Sequence, residues 1–263
     1  MGSATTQAQV ATTTALSAAS GVDLDVAREL FAVARTVGGS SHLSGALADS
    51  AASAGARRKV VADVFGGSVK PVTASLLTTA VDQRWSSADD LVDGIEELAV
   101  RAAALADAGS DVEGELFAFS RTIADNPELE LALGSRLGDE AAKAELVESL
   151  LKGRVSEATL LIAASLIRQP RERRVRQLLS RATRLVAEQR GRTVATVVTA
   201  APLSAAQAER LTATLSKRYS AQVTLNTVVD PTVVGGMRVQ IADDVIDASV
   251  SARLADLRQR LAG

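Results

Sequence analysis

The run Glu29-Leu30-Phe31-Ala32 recurs 86 residues later as Glu115-Leu116-Phe117-Ala118, and Arg35-Thr36 recurs at the same interval as Arg121-Thr122. In that register Leu43 and Leu47 fall on Leu129 and Leu133, and Gly66-Gly67-Ser68-Val69 falls beside Lys152-Gly153-Arg154-Val155. An interval held without gaps over such a length requires the same elements joined by loops of the same length. The period is too long for a solenoid repeat and fits two tandem helical bundles.

Within each copy the apolar spacing is helical. Leu24, Leu30, Phe31, Ala34 and Val37 share one side of a segment that stops at Gly38-Gly39. Leu43 with Leu47, then Val60, Val61, Val64 and Phe65, then Leu76, Leu77 and Val81, mark three further segments divided by Gly, Ser and Pro71. Ser87 with Asp90, and Ser110 with Glu113, have the spacing of a capping box, and Leu91, Ile95, Leu98, Ala102 and Leu105 form a long stripe after the first. Asn126-Pro127 stops one helix and starts the next. Ser156 caps Ala158 to Ile167, a run apolar nearly all round and therefore expected at the centre of its bundle.

These patterns divide the chain into residues 1–22, an Ala/Thr/Ser-rich tail or frayed helix; 23–90, a first helical bundle; 91–190, a second; and 191–263, a small α/β domain. The fold class is α+β, mostly α. With aromatic residues at 2%, the cores must be built from Ala, Val and Leu, which suits thin, closely packed helices better than large ligand cavities. The absence of cysteine excludes disulfides and thiolate metal sites. The longest apolar runs fall short of a bilayer span, so an integral membrane protein is not expected. The first basic residue is Arg28, which leaves the N-terminus without the charges of a secretory or organelle leader. Met1-Gly2 with Thr6 matches the myristoylation pattern only formally, since no polybasic companion follows.

After Pro170 comes a basic helix. Arg168, Arg171, Arg173, Arg174, Arg176, Arg181, Arg184, Arg190 and Arg192 stand against Glu172 and Glu188 alone in that window, while Val175, Leu178, Leu179, Ala182, Leu185 and Val186 make an apolar stripe. A solvated face would account for this. So would a surface for an acidic partner, with Arg173, Arg174, Arg176, Arg181 and Arg184 as its candidates, since arginine stems pack while their heads pair with carboxylates. Nucleic acid fits less well, because no aromatics interleave with the arginines and the chain carries a net charge of -2.

Past Gly191 the period switches to two. Val194, Thr196 and Val198 alternate with Ala195 and Val197; Ser204 with Gln207 then opens a helix lined by Ala208, Leu211 and Leu215; and Val223, Leu225 and Thr227 begin a second strand. Asp230-Pro231 makes a turn, and Gly235-Gly236 suggests positive φ or a close backbone approach. Met237, Val239 and Ile241 point one way along the next strand, an acidic turn follows, and Asp247 or Ser249 caps a last helix with Val250, Leu254, Leu257 and Leu261 on one face. The order is β-α-β-β-α.

DPTVVGG at 230–236, VIDASV at 245–250 and TAAPLSAAQAERL at 199–211 together resemble the C-terminal signature of the delta subunit of F-type ATP synthase, called OSCP in mitochondria. Asp230, Pro231, Gly235, Gly236, Asp247 and Ser249 are the motif positions. Ala248 stands where the family usually has glycine, so the backbone there is expected to tolerate a Cβ. The whole length resembles the long actinobacterial delta subunits, the first copy being an extension and the second the family's usual N-terminal domain. The resemblance implies a non-catalytic stator: the helical part docks N-terminal helices of the alpha subunits, the C-terminal part engages the b subunits of the peripheral stalk, and the rotor's torque is resisted during proton-driven synthesis. It also implies one copy per complex at the cytoplasmic face of the bacterial membrane, no direct nucleotide binding, and membrane association only through the complex. Residues 91–190 are expected to hold the head.

The residues alone offer little chemistry. The single histidine, His42, lies near a helix start beside Ser40 and Ser41, where an exposed or capping role is expected. Asp243, Asp244 and Asp247 could gather a hard cation, but a polar turn needs the same residues. No triad, HExxH or nucleotide loop is present, and no cofactor, metal or catalytic residue is expected. The alternatives are a helical adaptor that binds an acidic protein through the Arg168–Arg192 helix and, more remotely, a small α/β enzyme.

Overall fold

The structure, a computed structural model, describes residues 2–135, 138–171, 173–241, 244–250 and 254. Two compact units divide it, Met1–Val186 and Ala187–Gly263. The first unit begins with α1 (Ser3–Ala18), α2 (Leu24–Gly38), α3 (Ser41–Ala48), α4 (Ala54–Phe65) and α5 (Pro71–Asp82). Then come α6 (Ala88–Ala106), α7 (Val112–Ala124), α8 (Pro127–Gly134), α9 (Glu140–Leu151), α10 (Glu157–Arg168) and α11 (Val175–Gln189).

The duplication is realised helix by helix. The ranges of α3, α4 and α5 map onto those of α8, α9 and α10 at the 86-residue interval, and α2 maps onto α7. The polar groups that fix the helix starts are duplicated too. Glu29 accepts the backbone N–H of Lys70 at 2.8 Å and the hydroxyl of Thr73 at 2.5 Å. Its counterpart Glu115 accepts the N–H of Ser156 at 3.0 Å and the hydroxyl of Thr159 at 2.5 Å. Each carboxylate satisfies the unpaired donors at the start of α5 or α10, where the helix dipole favours negative charge. Arg57 and its counterpart Lys143 are both buried cations: Arg57 donates to the carbonyls of Asp49 and Ala52, and Lys143 to the carbonyl of Ser135, the residue equivalent to Asp49.

The two copies nevertheless do not form separate bundles. One core runs from Ala8 and Leu16 through Leu98 and Leu116 to Val186, so the expected boundary between residues 90 and 91 divides no packing. The reason is α6. Helices α1 and α11 stand one repeat interval to either side of it, so α6 closes the first copy and opens the second. It packs against α1, α2, α3, α5 and α10 and buries Leu91, Val92, Ile95, Leu98, Ala99 and Ala102, among others. Burial of each large side chain contributes about 1.5–3 kcal/mol, enough to bind the copies into one body. Of the two readings of the N-terminal segment, tail or frayed helix, residues 3–18 form a helix that packs: Thr5, Ala8, Thr12 and Leu16 are buried at helical spacing, and the Thr5 hydroxyl donates to Asp90 at 3.0 Å.

The local starts match the sequence with one displacement. Ser87 caps α6 by accepting from Asp90 N at 3.1 Å, and Ser156 caps α10. At α7 the cap is Asp111, which accepts from Gly114 N at 3.1 Å, while Ser110 donates to Asp107. Helix α10 is not the central helix either. Ala158, Ile162, Ala163 and Ile167 are buried, but Leu160 and Leu161 are only partly covered.

In the second unit β1 (Arg192–Thr199), α12 (Ala205–Tyr219), β2 (Gln222–Val229), β3 (Met237–Ile241) and β4 (Asp244–Asp247) form a sheet of order β2-β1-β3-β4 with α12 on one face. β1 and β2 are parallel, as a helical crossover requires, and β3 is antiparallel to both β1 and β4. Ala195, Val197, Val239 and Ile241 pack with Leu215 of α12. Ser204 and Gln207 make the full capping box. β4 is a strand where the sequence suggested only the turn and cap before a helix: the pair Val239↔Ile246 hides one side of each strand and stabilises a hairpin. The final helix expected through Leu257 and Leu261 lies largely outside the described residues.

Candidate partner-binding surfaces

Asp93, Glu96 and Glu97 stand at adjacent positions on one face of α6, and arginines from the connection before α11 and from its middle meet them. Arg173 is bidentate on Glu96 at 2.7 and 2.8 Å. Arg181 pairs with Glu97 and lies 3.7 Å from Asp93, which also takes Arg171. These side chains are mostly withdrawn from solvent, with Arg173 at 21% and Glu96 at 13% exposure. Burial, with Arg173 and Arg181 nearby, pushes the Arg171 guanidinium down to about 10. Arg176 reaches Glu130 of α8 at 2.8 Å, in an exposed pair.

Arg173 and Arg181 thus clasp α11 to α6, whereas Arg174, Arg176 and Arg184 of the five candidates are exposed on the outer face. The continuous Arg168–Arg192 helix is also divided: Arg168 ends α10, Arg171 and Arg173 lie in the connection, and Arg192 opens β1. Counting arginines within a window missed carboxylates some 80 residues upstream. The signal was present in the polar face of α6, where Asp93, Glu96 and Glu97 interrupt the apolar stripe.

In the second unit the motif residues come together at the hairpin. Asp230 accepts the N–H and hydroxyl of Thr232 at 2.9 and 2.7 Å, closing the turn with Pro231 inside it. Gly235 and Gly236 have φ of +65° and +77°. A Cβ on Gly236 would lie 2.9 Å from Ser249 Cα and still closer to the Ala248 carbonyl, so both sequence demands, positive φ and close approach, apply there. The Ala248 N–H donates to the Met237 carbonyl at 2.9 Å, and Val250 N–H to the Gly235 carbonyl at 3.2 Å. Ala248 itself has no positive φ, which is why a Cβ is tolerated where the family usually has glycine. Asp247 accepts the Ser249 N–H at 2.9 Å, and the Ser249 hydroxyl and amide hold its carboxyl below the usual range. These residues fasten a loop to a strand end.

His42 is exposed in the first turn of α3, which Ser40 caps. Asp244 accepts the Tyr219 hydroxyl at 3.0 Å, and Asp243 lies outside the described residues. Among the described residues no group of three or more His, Asp or Glu could hold a metal ion, and no helix is long and apolar enough to cross a membrane.

A family model described as ATP synthase delta (OSCP) subunit matches residues 99–261. The chain is 49% identical over 265 residues to ATP synthase subunit delta of Leifsonia xyli subsp. xyli, covering 100% of both chains. The chain belongs to the ATP synthase delta (OSCP) subunit family. Its likeness to ATP synthase subunit delta of Streptomyces avermitilis is 42% over 253 residues, covering 94% of this chain and 93% of that one. A chain of the Toxoplasma gondii mitochondrial ATP synthase hexamer is similar with a TM-score of 0.39 at 22% identity, over 64% of this chain and 97% of that chain. As a family member the chain is an accessory stator subunit of ATP synthase and not a catalyst. The relatives match over all or nearly all of their lengths, so the duplicated first copy belongs to this delta subunit and is not a foreign fusion.

Proposed function

We propose that this delta subunit links the alpha subunits of the catalytic head to the b subunits of the peripheral stalk and resists rotor torque. The helical unit, through residues 91–190, grips helices of the head, and the C-terminal α/β unit engages the stalk. The full-length match to delta subunits carries this reading. The architecture suits it: transmitting torque asks for stiffness, and the helical unit's continuous core with its part-buried, duplicated cap bonds supplies stiffness by close packing. The subunit sits in one copy at the cytoplasmic face of the membrane, held there by the complex.

Affinity-tagged chain should co-purify with alpha and b subunits from membranes; a purified synthase that contains neither this chain nor a requirement for it refutes the reading. Removing residues 1–88 is a poor way to locate the head contact, because it strips α1, α2 and α5 from α6 and exposes the shared core. Point changes on the surface are required. The adaptor reading loses support from the internal pairing of Arg173 and Arg181.

A further inference from the structure

Where the first copy's α2 lies beside the second copy's α9 and α10, a groove of 420 Å³ opens. Leu160 and Leu161 supply apolar lining, and Arg35, Lys152, Arg168 and Arg28, the last already paired with Asp25, supply four cations beside the two carboxylates Glu148 and Glu157. This explains the anomaly of α10: a helix apolar nearly all round keeps part of that surface uncovered.

Comparison of the repeats isolates what is unusual about two of the cations. Arg121, the counterpart of Arg35, pairs with Asp125 at 3.0 Å; in the first copy the position equivalent to Asp125 is Gly39, and Arg35 has no carboxylate partner among the described residues. Asp82, the counterpart of Arg168, pairs with Arg58 at 2.6 Å; in the second copy Ala144 stands in place of Arg58, and Ala144 lines the groove. Both internal ion pairs are therefore lost at one place, and both arginines line the same groove. Burial, and next the charge of Arg168, hold Arg35 below its ordinary value. Like charges brought together repel, and the two carboxylates Glu148 and Glu157 leave the groove with an excess of positive charge that an acidic ligand would offset.

We infer that the α2/α9/α10 groove docks an acidic amphipathic helix of another subunit, whose apolar stripe covers Leu160 and Leu161 and whose carboxylates bridge Arg35 and Arg168. Charge complementarity with an apolar lining selects a protein segment over a free anion, which would leave the leucines uncovered. The duplication gives this groove its form, since its lining comes from one copy and two of its cations from the other. The inference rests on the stator reading for the identity of its setting and adds a surface that the reading does not locate.

The test uses the assembled synthase with Leu161→benzoylphenylalanine and sequences the cross-linked peptide. The expected product is a segment of another subunit with carboxylates at i and i+3 or i+4 beside an apolar stripe, and Arg35→Glu with Arg168→Glu lowers its yield about tenfold. No inter-subunit product, capture of lipid, capture of a segment without that pattern, or a yield unchanged by charge reversal overturns the inference. The milder pair Arg35→Gln with Arg168→Gln should lower the yield while leaving the melting temperature of the free chain equal or higher, because it relieves repulsion; a lower melting temperature would mark the arginines as structural and overturn it too. A complex that retains the chain without the cross-link defeats the groove alone, whereas a complex that forms without the chain defeats the stator reading.

Discussion

Gly94 lies on the buried face of α6 against the ring of Trp85, whose Nε1 donates to the Ala80 carbonyl at 2.8 Å and which is 6% exposed. In Gly94→Ala the new methyl would overlap Cη2, lie 2.5 Å from Cζ3 and lie 3.0 Å from Cζ2 of that ring. Helix propensity alone favours alanine by about 1 kcal/mol. Against it, forcing a rigid indole out of a packed site costs about 1–3 kcal/mol if the ring shifts. Complete ejection costs more: about 200 Å² of lost burial is worth roughly 5 kcal/mol at 25 cal/mol/Å², with about 1 kcal/mol for the indole hydrogen bond. The relaxed outcome dominates, and once the gain in helix propensity is subtracted a net loss of about 0–2 kcal/mol is expected. Trp85 is the only tryptophan, so its emission reports the site directly: the variant should shift to longer wavelength and unfold at lower urea. Gly45→Ala is the control, since Gly45 is exposed within α3 with nothing near its would-be Cβ, and it should stabilise by about 0.5–1 kcal/mol. A Gly94→Ala chain as stable as the parent with unchanged emission would refute the packing of Trp85 against α6.

The duplicated caps should behave as a pair: Glu29→Gln and Glu115→Gln should each cost about 1–3 kcal/mol in urea unfolding, and a negligible cost for either one would contradict their equivalence. The Lys70 ammonium, and next the Val26 amide, hold the Asp23 carboxyl below 3.8, so its stabilisation is complete above that pH and is lost as pH falls through the lowered value. The stability gap between the parent and Asp23→Asn should therefore close on acidification, and a gap constant from neutral pH to about pH 2 would contradict this. Gly236→Ala combines positive φ with backbone overlap and should cost more than 1–2 kcal/mol, read as proteolytic opening of the β3–β4 hairpin; protease resistance equal to that of the parent would count against the close approach.

The parts legible in the sequence were those encoded within a few residues. Helix starts at Ser87 and Ser156, the full box at Ser204 and Gln207, and the glycine pair at 235–236 each state a local backbone demand, and the structure meets each one locally. The C-terminal family motif is of this kind, since Asp230 bonds within its own turn to Thr232, Asp247 to Ser249, and Ala248 and Val250 to Met237 and Gly235 at the start of the hairpin. Pairing across 80 residues was not legible. Arg173 and Arg181 read as an outward charge until Glu96 and Glu97 are placed opposite them, and no window of sequence contains both sides. Strand β4 was missed for a different reason: four residues rich in Asp read as a turn, and only the cross-strand partner Val239 makes Ile246 an inward residue.

The error about two bundles has a physical source that the repeat itself contained. A duplicated unit whose last helix is also the next unit's first cannot be divided, because that helix must present apolar surface to both copies. Helix α6 meets this demand with a nearly unbroken run of buried positions from Leu98 to Ala104, interrupted only by Arg101, which donates to the Leu185 carbonyl. The same sharing leaves the flanking surfaces unequal: each copy keeps its internal caps, yet the ion pairs equivalent to Arg121–Asp125 and Arg58–Asp82 are dissolved where the copies face each other. Rigidity is built from what the copies retain in common, and recognition from the places where they diverge. Cap substitutions should accordingly change stability without selecting a partner, while changes at Arg35 and Arg168 should alter partner capture without lowering the stability of the free chain.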